Sequence, residues 1–176
     1  IRKGNSPADY TWEVTDKQGI KYIYGGEGAV LKGTITDASG QSREVITEWK
    51  LKRVEETHGD YIEYVYETAD EPVRGGLVAK AIYLKEVRAG NSGQAPHTVV
   101  VLEGSKQKRL KNNNARYGFL TSSNRLLEKL TVHFQGSTLR SYAFTYSEGA
   151  FNKDVLTGVK QLDDKGAEVS YQNFDY

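Results

Sequence analysis

The sequence predicts an all-β, antiparallel, hairpin-rich fold, drawn out into an elongated sheet that is twisted or curved. Two observations predict it. Runs of β-branched and aromatic residues alternate with polar ones, so that one face of each run is apolar. Between these runs lie short polar clusters containing glycine, which suit tight turns. Twelve tyrosines and 18 glycines against only 3 prolines fit strands joined by turns. No amphipathic helix of ordinary length is written anywhere.

Residues 1–9 are polar and read as a frayed lead, and residues 10–176 as a single domain. YTWEVTDKQGIKYIYG (10–25) is strand, turn, strand, with Trp12 and Val14 on one face and Tyr22 and Tyr24 alternating in the partner. Asp16 to Gly19 form its turn. Strands are predicted near 29–36 and 43–56 around a loop at Asp37 to Gly40. The second changes phase at Lys50 and Leu51 after Trp49, which predicts a β-bulge. LKRVEETHGDYIEYVYE (51–67) is a strong hairpin turning at His58, Gly59 and Asp60, with Tyr61, Tyr64 and Tyr66 in its second strand.

Residues 68–76 read as a polar loop. Residues 78–90 read as a strand carrying Tyr83. HTVVVLEG (97–104) is apolar enough to be a strand buried on both faces. Residues 105–124 are the least regular stretch and read as a long surface loop, with a short strand around Tyr117 to Leu120. A second strong hairpin spans 125–149 and turns at Gln135 to Ser137. Its return strand carries Tyr142, Phe144 and Tyr146. The β-branched run after Leu130 favours a strand there over a helix. The last hairpin, 154–176, turns at Asp163 to Gly166.

Composition excludes several functions. With 24 Lys+Arg against 23 Asp+Glu the net charge is +1, which argues against a nucleic-acid partner. No run approaches the roughly eighteen apolar residues of a membrane-spanning helix. There is no cysteine, so disulfides, thiol nucleophiles and cysteine-ligated zinc are excluded. The lack of methionine and the opening IRKGNSPADY are read as those of a piece of a larger protein.

Motifs for catalysis are missing. His58, His97 and His133 stand at no metal-ligand spacing, and no HExxH occurs. Glu55 and Glu56 are strand neighbours and so point to opposite faces, which does not converge a carboxylate pair. Asp163 and Asp164 read as turn formers and lack the calcium-loop pattern. No serine lies in G-x-S-x-G, and Gly25 to Gly28 precede neither a helix nor a P-loop lysine. No catalytic residue, metal ligand or cofactor is predicted.

Two surfaces remain as candidates. Lys106, Lys108, Arg109, Lys111 and Arg116, beside Tyr117 and Phe119, form a basic run suited to an anionic surface; its plainer reading is a solvated loop. The tyrosines and tryptophans suit a sugar-binding groove, but regular alternation is also how a packed sheet face is written.

The recurring unit is an apolar strand, a polar turn with glycine, and a strand with an aromatic at every second position. It appears around 10–24, 51–66, 126–146 and 156–174, with irregular spacing. One such hairpin cannot bury its own apolar face, so hairpins stacked side by side are expected each to cover the next. In order along the chain stand W-x-V-T-D-K-x-G-x-K-Y-x-Y-G (Trp12 to Gly25), W-x-L-x-R-V-x-x-x-x-G-x-Y-I-E-Y-x-Y (Trp49 to Tyr66) and Y-L-K-E-V-R (Tyr83 to Arg88). R-Y-G-F (Arg116 to Phe119), R-L-L-x-K-L-T-V (Arg125 to Val132), L-R-S-Y-A-F-T-Y (Leu139 to Tyr146), L-T-G-V (Leu156 to Val159) and F-D-Y (Phe174 to Tyr176) follow.

This collinear series resembles the Rhs/YD-repeat-type bacterial toxins, and within them the Salmonella virulence plasmid B and insecticidal toxin-complex B family. His58-Gly59-Asp60 departs from that family's usual Asn-Gly-Asn, and the loops at 71–80 and 91–96 look enlarged. The resemblance implies a shell or scaffold segment of a large secreted or surface-delivered bacterial protein, built of degenerate YD-like repeats and without an active site. Its implied partners are other segments of its own parent chain. A free-standing module binding a glycan or protein at the cell surface is the alternative, and an enzyme with an unfamiliar carboxylate site is the third reading.

Overall fold

The computed structural model describes residues 1–176. It is all-β. The N-terminal part holds β1 (Arg2–Lys3), β2 (Thr11–Thr15), β3 (Lys21–Gly25), β4 (Val30–Thr36), β5 (Ser42–Trp49) and β6 (Leu51–Glu55). A long central hairpin follows, β7 (Asp60–Val73) and β8 (Leu77–Asn91), then β9 (Thr98–Glu103). Two short strands, β10 (Asn113–Asn114) and β11 (Thr121–Ser122), precede β12 (Lys129–Phe134), β13 (Ser137–Glu148), β14 (Asp154–Leu162) and β15 (Glu168–Asn173).

Eleven of these strands lie side by side in the order β1-β2-β3-β6-β7-β8-β9-β12-β13-β14-β15, in an open sheet that does not close. β11 joins its flank by a parallel bridge between Thr121 and Lys80, and β10 pairs with β11. The remaining pair, β4–β5, forms a separate two-stranded flap. The predicted hairpins are therefore present, side by side and edge to edge in one sheet.

Three hairpins turn in the same way. Asp16, Asp37 and Asp163 each begin a four-residue D-x-x-G turn. The aspartate accepts the amide two residues on at 2.8–2.9 Å (Gln18, Ser39, Lys165). It also accepts the amide four residues on (Ile20, Gln41, Ala167). The glycine takes φ of 83–85°, a left-handed value that a Cβ disfavours. Glu56 to Gly59 repeats the backbone pattern, with Gly59 N–H donating to the Glu56 carbonyl.

Register places like residues on one face. The row Val14, Tyr22, Val54, Ile62, Ala89, Thr98, Phe134 runs across seven strands as direct partners. A second row on that face is Tyr64, Val87, Val100, Val132, and a third is Leu102, Leu130, Tyr142. The opposite face carries charge: Arg53, Glu63 and Arg88 are successive partners, and Lys129 lies between Glu103 and Ala143.

Five expectations are corrected. Residues 1–3 are not frayed, because β1 pairs with β2 and the Ile1 ammonium donates to the Glu13 carbonyl at 2.6 Å. Residues 68–73 are not a loop. They continue β7 opposite β8, and only Arg74 to Gly76 turn; Pro72 is tolerated because its missing N–H would face the free edge. β9 is half-buried and not enclosed on both faces, since its apolar face has no second layer. The phase change at Lys50 is a change of sheet: its N–H donates to Ala29 of the flap side, and its carbonyl accepts from Gly25 of the main sheet. The bulge itself falls at Lys52, opposite Ile23 and Tyr24.

The fifth correction concerns 105–124. This segment is not a plain surface loop, and its strands lie at β10 and β11, not at 117–120. It is a strap that folds back over the charged face of β7–β8. Asn124 and Thr121 are buried in it. The strap and the flap meet where the Phe119 ring lies against Gly33 so closely that any Cβ there would collide with it at 2.4 Å. The small core sits under this junction: Ala29, Val30 and Leu31 of the flap side over Ala79 and Ala81 of β8.

Candidate functional site

The aromatic residues divide by role. Tyr22, Tyr24, Tyr64, Tyr142 and Phe144 lie half-buried on the apolar face. Trp12 is 38% exposed there and meets Trp49 edge-on at 6.1 Å and Tyr10 at 6.4 Å. Trp49 donates its indole N–H to the Tyr10 carbonyl at 2.7 Å, which ties the root of the flap to the N-terminal strands. Tyr61 is on the charged face, buried beneath the Arg53 guanidinium at 3.9 Å.

Tyr66 and Tyr146 act as latches. The Tyr66 hydroxyl donates to the Leu51 carbonyl at 2.8 Å, and that of Tyr146 to the Leu127 carbonyl at 2.7 Å. Each is the last aromatic of its alternating series, reaching back to the leucine that opens its hairpin. Burial, then the neighbouring Tyr64, raises the Tyr66 pKa; burial, then Glu128 and Asp154, raises that of Tyr146. The repeat was legible in the sequence, but this bond was not.

Polar chemistry concentrates under the strap. Glu71 is 4% exposed and accepts Arg125 Nε at 2.9 Å and Gln107 Nε2 at 3.1 Å. Arg125 also donates to Glu67 at 3.0 Å and lies over the Tyr83 ring at 4.6 Å. Burial opposes the Arg125 charge, but its hydrogen bonds to Glu67 and Glu71 outweigh it and hold the pKa above the ordinary guanidinium value. Asn124 accepts the Asn112 amide and donates to Asn113, while its own N–H donates to the Tyr83 hydroxyl. Sequence reading missed this network because its members are up to 58 residues apart.

The predicted basic run does not form one patch. Arg109 pairs with Asp154, whose side chain is almost fully buried. Lys108 donates to the Ser123 carbonyl, Lys111 to Gln107, and Arg116 to the Tyr117 hydroxyl. At Lys106, the backbone N–H donates to Glu128. Arg109 and Lys106 tie the strap to residues outside it, while the bonds of Lys108, Lys111 and Arg116 lie within the strap. The three histidines stay apart: His58 beside Thr57, His97 beside Thr98, His133 beside Thr138. Glu55 pairs with Arg53, and no three acidic or histidine side chains converge as a metal set.

Two grooves are open. The larger, about 620 Å³, runs between the flap, β7–β8 and the loops at 8–10 and 26–28. The smaller, about 380 Å³, lies against Tyr83, Val101, Leu102 and Arg125.

No family model matches the sequence, and no curated protein sequence matches it. Solved structures do match. The N-terminal domain of the effector protein SpvB from Salmonella typhimurium strain LT2 superposes with a TM-score of 0.64 at 16% identity. It covers 91% of this chain and 63% of its own. The TcdB2-TccC3 crystal structure gives 0.67 at 15% identity, and the Photorhabdus luminescens Tc holotoxin pore 0.67 at 16%. The chain has the fold of these toxin segments. It spans 63% of the SpvB chain, and 11% and 10% of the two toxin-complex chains. No helix is long and apolar enough to cross a membrane.

Proposed function

We propose that this chain is a non-enzymatic scaffold segment, a stretch of shell wall, in a large secreted or surface bacterial protein of the SpvB and toxin-complex kind. The observation that carries the reading is surface that the chain leaves uncovered. It exposes 11269 Å², whereas a compact monomer of its 19.7 kDa exposes about 8,600 Å². The apolar rows described above are half-exposed, with Ile62 40% and Phe134 47% accessible. Both outer strands, β1 and β15, keep a free edge. Further segments of the parent protein are the natural cover for this face and these edges, and the fold likeness to segments of much longer toxin chains supports the same reading.

Limited proteolysis of the full-length parent, with fragments identified by mass spectrometry, tests it. A segment elsewhere in the parent that stays protected until this wall is cut supports an enclosing scaffold. Equal accessibility of every region overturns it. A second reading, a module that binds a surface glycan, is favoured by the exposed Trp12 beside Tyr10 and Trp49. A tryptophan fluorescence shift on titration with oligosaccharides, lost in Trp12→Ala, is its test.

A further inference from the structure

We propose that the larger groove takes up an extended, basic peptide segment by strand addition. Two free strand edges line it. β7 pairs with β8 along its whole length, but with β6 only at Tyr61 to Glu63, because the chain returns from the flap to the main sheet only at Lys50. The Lys80 N–H donates to Leu120, away from β7. Lys80 is the direct partner of Asp70, so the pair is of the non-hydrogen-bonded kind, and the Asp70 N–H and C=O point out to the free edge. Thr68, two residues away, does the same.

The flap supplies a second free edge to the same groove. Asp37 N–H donates to the Gln41 carbonyl. Counting back along the β4–β5 register by alternation makes Thr34↔Glu44 and Lys32↔Ile46 non-hydrogen-bonded pairs. The backbone groups of Lys32 and Thr34 therefore also face outward. None of these four residues has a backbone bond beyond its own hairpin ladder, and all four line the same cavity of about 620 Å³. A free edge is what an added strand needs, since backbone hydrogen bonds supply its affinity whatever its sequence. The lining segment Val30 to Thr34 matches an extended occupant of about five residues.

Charge selects the occupant. The lining holds four carboxylates (Asp9, Glu27, Glu44, Asp70) and two lysines (Lys32, Lys80), a balance of −2. Both lysines are already engaged, Lys32 with Glu44 at 3.0 Å and Lys80 with Asp70 at 2.7 Å. Neither the Asp9 nor the Glu27 carboxylate is in an ion pair, and the Lys52 ammonium beside Glu27 is held by that residue's carbonyl at 3.1 Å. The two carboxylates face the loop end of the groove and favour lysine or arginine on the incoming strand.

The test is fluorescence polarisation of the intact chain with labelled seven-residue peptides of alternating valine and lysine, or valine and glutamate. The lysine peptide is expected to bind, and the glutamate peptide about tenfold or more weaker. N-methylation of alternate amides of the lysine peptide, which keeps its charge but removes its backbone donors, is expected to weaken binding about tenfold or more. The double variant Asp9→Lys/Glu27→Lys, both at exposed positions, is expected to reverse the charge preference with an unchanged circular dichroism spectrum. Equal binding of the N-methylated peptide means charge attraction alone and overturns the proposal. So does no binding at millimolar peptide, or a chain that dimerises through this groove in sedimentation, which would make a second copy the occupant.

Discussion

At the scale of single residues, hydrogen bonds to the backbone fix the repeat. The latches of Tyr66 and Tyr146 join strands that side-chain alternation alone would leave free to slip, and a slip of one residue would turn every apolar side chain to the wrong face. Tyr66→Phe and Tyr146→Phe are each expected to cost about 1 kcal/mol in urea unfolding, because the ring stays and only the buried donor is lost. An unchanged midpoint in both variants would show that the latches carry no stability. Glu128 gives a pH dependence of known sign. Its carboxylate accepts the Ser105 N–H at 2.8 Å, the Lys106 N–H at 3.0 Å and the Ser105 hydroxyl, and these bonds hold its pKa below the ordinary glutamate value. A group depressed on folding adds stability above its unfolded pKa and loses it as pH falls through the folded one. Hydrogen exchange at the Ser105 and Lys106 amides is therefore expected to accelerate on acidification through the carboxylate range, beyond its intrinsic pH dependence. In Glu128→Gln that extra acceleration should vanish.

At the scale of elements, the strap and the flap depend on each other. Arg125 joins the strap's end to Glu67 and Glu71 of β7, and Glu71 is too buried to be solvated without it. Arg125→Ala is expected to destabilise by about 3 kcal/mol, since removing one partner leaves an uncompensated buried charge. Arg125→Ala with Glu71→Gln should recover part of that loss; equal loss in both would place the effect in packing over Tyr83 and not in charge. The same elements mark where the sequence stops being informative. The predicted hairpins were legible because alternation and a turn with glycine lie close together in the chain, whereas the far half of β7–β8 was not, because 68–73 reads as a polar loop. Nothing local distinguishes β4–β5 from a hairpin of the main sheet, since both are written as alternating strands, and only the phase change at Lys50 hinted at the departure. The strap reads as solvated because two of its anchors lie far along the chain: Asp154 for Arg109, 45 residues on, and Tyr83 for the Asn124 amide, 41 residues back. The candidate groove was not legible at all, because a free strand edge follows from which strands pair and not from any residue type.

At the scale of the whole molecule, the sheet's two faces have different partners. The charged face is covered at β7–β8 by the chain's own strap and flap, whose core of small residues lets the layers approach closely. The apolar face has no such cover, although one of its rows runs unbroken across seven strands. A face of that kind on a monomer attracts other surfaces. If it is the wall face of a larger assembly, its side chains contribute little to the stability of this chain alone and much more in the parent. Ile62→Lys combined with Phe134→Lys is therefore expected to change the isolated chain's stability by no more than about 0.5 kcal/mol per site, as at exposed positions generally, while reducing its binding of a hydrophobic dye. The same pair in the parent is expected to speed proteolysis across the whole wall, because two charges would then be buried without partners. A large loss of stability in the isolated chain would mean that the rows already pack against one another as a finished core. The excess exposed surface would then belong to the free edges, and the apolar face would need no further segment to cover it.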